Sequence, residues 1–97
     1  MSLVARRTPV RERVYTLLLA APTAQWTVSG VVERLRDDPV SHDAVRPVLY
    51  ILLRDKLMEE VSGQRGLTVR LTTAGVTALR QILASWVAGD DRPETIT

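Results

Sequence analysis

The sequence predicts a small, mainly helical domain with a β-hairpin, and three observations carry that prediction. The stretch from Val40 to Leu57, V-S-H-D-A-V-R-P-V-L-Y-I-L-L-R-D-K-L, puts Val45, Val48, Leu49 and Leu52 on one stripe at helical period. Behind it come two short runs, Met58 to Ser62 and the alternating Leu67-Thr68-Val69-Arg70-Leu71, joined by Gly63-Gln64-Arg65-Gly66. Alternation with glycines between short runs reads as a hairpin with an arginine at its tip. Two helical patterns precede this unit and one follows it. A helix with a polar outer face followed by a hairpin is the layout of a winged helix-turn-helix, here extended by a C-terminal dimerisation helix. The expected organisation is a flexible basic arm over 1–8, the winged domain over 9–72, the dimerisation helix over 73–88 and a disordered acidic tail over 89–97.

Composition bounds the problem. Ninety-seven residues make one domain, small enough that stability is marginal unless a partner buries more surface. An apolar content of 45% with 25% charge is globular rather than disordered. The chain has no cysteine, which removes disulfides and thiolate metal sites. No apolar run is long enough to span a membrane and the N-terminus lacks a signal-peptide apolar region, so a soluble cytoplasmic protein with no membrane partner is expected. The net charge of +2 understates an asymmetry: the acidic tail (Asp90, Asp91, Glu94) hides an excess of about four positive charges in the body, with Arg6, Arg7, Arg11 and Arg13 at the front. That is a modest nucleic-acid footprint.

The elements follow in order. Met1 to Arg7 has no periodicity. Thr8-Pro9 reads as N-cap and first helical residue, starting a helix to about Ala21 with Val10, Val14, Leu17, Leu18 and Ala21 buried. Tyr15 and Leu19 fall on the other side and suggest a second contact surface. Pro22 stops this helix, and Trp26 anchors a very short strand. Thr27 caps a second helix to about Asp37, with Val28, Val31, Val32 and Leu35 as its apolar set. Gly30 inside it costs up to ~1 kcal/mol against Ala, explained by a close approach of another helix or of DNA, or simply tolerated. Asp37-Asp38-Pro39 then forms the turn into the central helix.

Ser41 caps that central helix, with Val40 and Val45 spaced as a hydrophobic staple. Its outer face holds Asp43, Arg46, Pro47, Tyr50 and Arg54. Arginine pairs bidentately with guanine or phosphate, and tyrosine contacts phosphate or stacks, so the face suits DNA; by charge count alone an ordinary solvated helix face accounts for it equally well, and the hairpin that follows decides for DNA. Together with Ser41 and His42 at the start of the helix and Arg65 at the hairpin tip, these are the candidate DNA contacts. Pro47 normally costs ~3 kcal/mol inside a helix; either the helix begins irregularly or a kink aims its first turn.

These residues carry a family resemblance. Ser41, the run Val45-Arg46-Pro47-Val48-Leu49, then Leu52, Leu57-Met58-Glu59, and finally Val69-Arg70-Leu71-Thr72-Thr73-Ala74-Gly75 with Ala78-Leu79 resemble the PadR-type transcriptional regulators over roughly residues 41 to 83. In that family a Ser-started recognition helix carries Leu-Tyr-Pro-Ala-Leu, and the wing closes on Tyr-Arg-Leu-Thr-x-Ala-Gly. The resemblance implies a winged helix, a proline kink that aims the recognition helix, and a small-molecule effector near a dimer interface. Arg46 stands where the family often has tyrosine, so the family's base preferences do not carry over.

Thr72 caps the last helix, Thr73 to Val87. Val76, Leu79, Ile82, Leu83, Trp86 and Val87 cover an arc of roughly 140°, wider than one neighbour needs. Val76, Leu79, Ile82, Leu83 and Trp86, with Tyr15 and Leu19, are therefore the expected homodimer contacts; the alternative is that this helix packs wholly on its own domain.

No enzyme is expected. Ser41-His42-Asp43 has the letters of a catalytic triad, but three adjacent residues on one turn diverge where a triad must converge. One histidine excludes histidine-based zinc sites, and Gly63-Gln64-Arg65-Gly66 lacks the Lys-Ser/Thr of a phosphate loop; no cofactor or metal is expected. The expected function is a dimeric, sequence-specific regulator of double-stranded DNA, a repressor by preference. The alternative is a winged-helix protein-interaction adaptor without DNA binding. An adaptor calls for an acidic or apolar central helix; Arg46, Tyr50, Arg54 and Arg65 favour DNA.

Overall fold

The computed structural model describes residues 3–88; Met1, Ser2 and the acidic tail expected over 89–97 lie outside them. The order is a short 3-10 helix (Leu3–Ala5), α1 (Pro9–Ala20), β1 (Gln25–Trp26), α2 (Val28–Arg34), α3 (His42–Arg54), β2 (Met58–Glu60), β3 (Val69–Leu71) and α4 (Thr73–Val87). The chain is mainly helical with a three-stranded antiparallel sheet in the order β1-β3-β2, consistent with the expected layout. Val14, Leu18, Val31, Val45, Leu49, Leu52, Val69 and Leu79 form the fully buried centre.

The helix starts are local. Thr8, Thr27, Ser41 and Thr72 each accept, through the side-chain oxygen, the amide three residues on: Arg11 at 3.1 Å, Gly30 at 2.9 Å, Ala44 at 3.0 Å and Gly75 at 3.0 Å. Gly30 needs no approaching helix. A Cβ there would stand 3.1 Å from the Thr27 hydroxyl, the helix's own cap.

The helix ends differ from expectation. α2 stops at Arg34 rather than Asp37: Leu35 leaves helical geometry at φ −101° and ψ 20°, its amide shared between the Val31 and Val32 carbonyls, and the Asp38 amide closes a turn on Leu35 O at 3.2 Å. α3 runs unbroken through Pro47 and stops at Arg54 rather than Leu57. There the Leu57 amide donates to Leu52 O at 2.9 Å and the Lys56 amide to Leu53 O at 3.0 Å, a Schellman closure. Lys56 takes the left-handed position, φ 63°, that glycine usually fills, and Thr72 donates its hydroxyl to the Lys56 carbonyl at 3.0 Å.

Two expectations are corrected. The segment read as a flexible arm is, from Leu3 onward, a strap on the core. Val4 is buried, Tyr15 donates its hydroxyl to Val4 O at 2.8 Å, and the Trp86 indole donates to Ala5 O at 3.2 Å. Arg11 donates to the carbonyls of Leu3 and Arg6. Tyr15, Leu79 and Trp86, expected at a dimer interface, are buried within the chain instead, with Tyr15 and Trp86 stacked at 5.6 Å between centroids. α1 and β3 pack against α4, and the strap meets it at Trp86, so the chain itself supplies the neighbours that the wide arc of α4 called for. Leu19, Val76, Ile82 and Leu83 are half-buried against the core, while Val87 is 85% exposed.

Candidate nucleic-acid interface

Three elements build one concave surface. The cap at Thr27 fixes the first turn of α2, and α2 packs closely on α3. That contact brings Ser29 Oγ to 3.1 Å from His42 Nε2 at the start of α3. Four and eight residues further along α3, Arg46 and Tyr50 continue the row that His42 begins. Across from them stands the β2–β3 hairpin, whose turn is made possible by Gly63 (φ 81°) and Gly66 (φ 74°). The result is an open cleft of about 360 Å³ lined by Thr27, Ser29, His42, Arg46, Tyr50 and Arg65, with Val28, Gly66 and Leu67 as its apolar part.

The outer face of α3 therefore divides into two rows. His42, Arg46 and Tyr50 line the cleft, whereas Asp43, Pro47 and Arg54 are exposed but do not. Ser41 is spent on capping. Arg46 pairs with Asp43 at 3.4 Å, and Arg54 with Asp55 at 3.5 Å. Both pairs are largely solvated, so they contribute at most ~1 kcal/mol and exchange readily for a phosphate. Tyr50 is half exposed, whereas the other three aromatic side chains, Tyr15, Trp26 and Trp86, are buried. Sequence reasoning missed Thr27 and Ser29. Their hydroxyls stand at the start of α2, about two turns in sequence from the connection to α3, and only the packing of α2 on α3 brings them beside His42.

Three of the four front arginines have structural work instead. Arg7 pairs with Glu12 at 3.1 Å, Arg11 holds the strap, and Arg13 pairs with Asp38 at 3.4 Å while donating to Leu35 O at 3.1 Å. On the hairpin, Arg70 meets its cross-strand neighbour Glu59 at 2.7 Å. Arg46 and Arg65 are thus the cations that face the cleft. No helix among the described residues is long and apolar enough to cross a membrane. Searches against family models, curated proteins and solved structures find no match for the chain.

Proposed function

We propose that the chain is a winged helix-turn-helix regulator that binds double-stranded DNA in a sequence-specific way. In this reading α3 enters the major groove and the β2–β3 hairpin is the wing. The observation that carries it is the convergence of His42, Arg46 and Tyr50 on α3 with Arg65 on the hairpin around one open cleft. Charge-assisted donors and an exposed aromatic on the outer face of α3 match a polyanion whose base edges lie in a groove. The resemblance of residues 41 to 83 to PadR-type regulators supports the same reading. Two copies joined along the outer flank of α4 would present two recognition helices ~34 Å apart, one duplex turn.

Titration against random duplex DNA at two salt concentrations tests the reading. A DNA-binding protein loses affinity steeply as salt rises, whereas an adaptor shows no salt-dependent binding and would overturn the proposal. Against a selected binding site, Arg46→Ala should cost ~1–3 kcal/mol and relax preference at one base pair per half-site. Arg65→Ala should weaken all sequences alike and lower the salt slope by about 1.

A further inference from the structure

We infer that Ser29 and His42 form a proton-controlled phosphodiester seat on one wall of the cleft, so that DNA binding tightens as pH falls through the imidazole range. This inference rests on the DNA-binding reading above and goes beyond it by assigning the residues and the control. His42 is the chain's sole histidine, and its Nε2 lies 3.1 Å from Ser29 Oγ, joining the first turns of the two packed helices. Imidazole is the side chain that changes charge between pH 5 and 8. When the neutral ring carries its proton on Nδ1, Nε2 accepts from the Ser29 hydroxyl and ties up that donor. Protonation reverses the bond: Nε2–H then donates to Ser29 Oγ, and the serine O–H is freed to donate outward. One event thus adds a positive charge and a hydroxyl donor to the same wall of the cleft.

The surroundings couple this event to an anion. The charged groups facing the cleft are Arg46 on the same helix and Arg65 across from it; α2 and its cap contribute the Ser29 and Thr27 hydroxyls and no charge, and α3 adds the Tyr50 hydroxyl. Asp43, beside His42 in sequence, is exposed and paired with Arg46 at 3.4 Å. A positive charge on His42 and a phosphodiester held in the same cleft attract one another, so each favours the other. Proton uptake and phosphate binding must therefore support each other, because linkage is reciprocal.

The test measures binding of a random-sequence duplex as a function of salt at about pH 5.5 and 7.5, in the imidazole range. For the wild-type chain the slope of log K on log salt should steepen by about 0.9 per bound chain at the lower pH. His42→Gln, which keeps a polar group near Ser29 but does not titrate, should give one slope at both. Ser29→Ala should keep the steepening, which comes from charge, but lose part of the affinity gain, which comes from the freed donor. An NMR titration of the single imidazole gives a second readout: its midpoint should rise on adding the duplex by about 0.5 pH unit or more, equivalent to roughly threefold tighter binding of the protonated form. A wild-type slope that is the same at both pH values, or a His42→Gln chain that retains the steepening, overturns the seat while leaving DNA binding intact. Absence of duplex binding at every pH overturns both readings together.

Discussion

Gly75 stands where the first turn of α4 crosses the end of α3, and the contact leaves no room for a side chain. A Cβ there would lie 2.8 Å from the Leu57 carbonyl carbon and closer still to its oxygen, which already accepts the Thr72 amide at 3.0 Å. The obstacle is backbone and cannot swing away, so Gly75→Ala should destabilise by about 2–3 kcal/mol despite the better helix propensity of alanine. Gly30→Ala meets only the Thr27 hydroxyl, and its propensity gain offsets the crowding to within about 1 kcal/mol. Urea midpoints of the two variants should separate clearly; equal midpoints would show that α4 can shift off Leu57. Tyr15 offers a second single-residue test. Burial pushes its phenol up from 10.0 to about 12, with Arg11 pulling down and Asp55 pushing up more weakly. The folded pKa lies above the unfolded one, so the stability of the neutral phenol is complete below pH 10 and drains away as pH rises towards 12. Tyr15→Phe should cost about 1–2 kcal/mol at neutral pH, through the lost bond to Val4 O, and should flatten the decline in stability above pH 10. A Phe variant that declines as steeply as wild type would place the alkaline sensitivity elsewhere.

At the scale of elements, the helix starts were legible in the sequence because caps are local: a hydroxyl and the amide three residues on decide each one. The hairpin was legible for the same reason, through Gly63 and Gly66. The covering of α4 was not. A wide apolar arc says that more than one neighbour is needed, but it does not say which chain supplies it, and Leu3-Val4-Ala5 is too short to show a period. The outer face of α3 was read as one stripe because its residues share a polar side; only the position of the hairpin separates His42, Arg46 and Tyr50 from Asp43, Pro47 and Arg54. The strap makes its own prediction. Removing residues 1–6 takes away buried Val4 and the two carbonyls that satisfy Tyr15 and Trp86. The loss should be roughly 2–4 kcal/mol, read as a melting temperature lower by about 10 °C or more. Unchanged melting together with weaker DNA binding would instead restore the basic-arm reading of this segment.

At the scale of the whole molecule, the question is whether one chain suffices for the proposed activity. With Tyr15, Leu79 and Trp86 inside the chain, the candidate contact surface shrinks to one flank of α4. Val76, Leu83 and Val87 are spaced seven and four residues apart and so fall on a single stripe, with Val87 85% exposed at its end. Deleting α4 cannot test this, since Leu79 and Trp86 are core and the domain would unfold. Leu83→Asp with Val87→Asp is the sharper experiment, because it leaves those two residues in place and sets two carboxylates on the flank, where a two-fold contact would bury them unpaired. Sedimentation at roughly 30 µM should show a wild-type dimer and a folded monomeric variant, since assembly follows mass action. The variant should also bind duplex DNA with about half the wild-type salt slope, because each bound particle then carries one cleft instead of two. A wild-type monomer at that concentration, or a double variant that still dimerises, would take this flank out of the interface and leave the single cleft of Arg46, Tyr50, His42 and Arg65 to hold DNA alone.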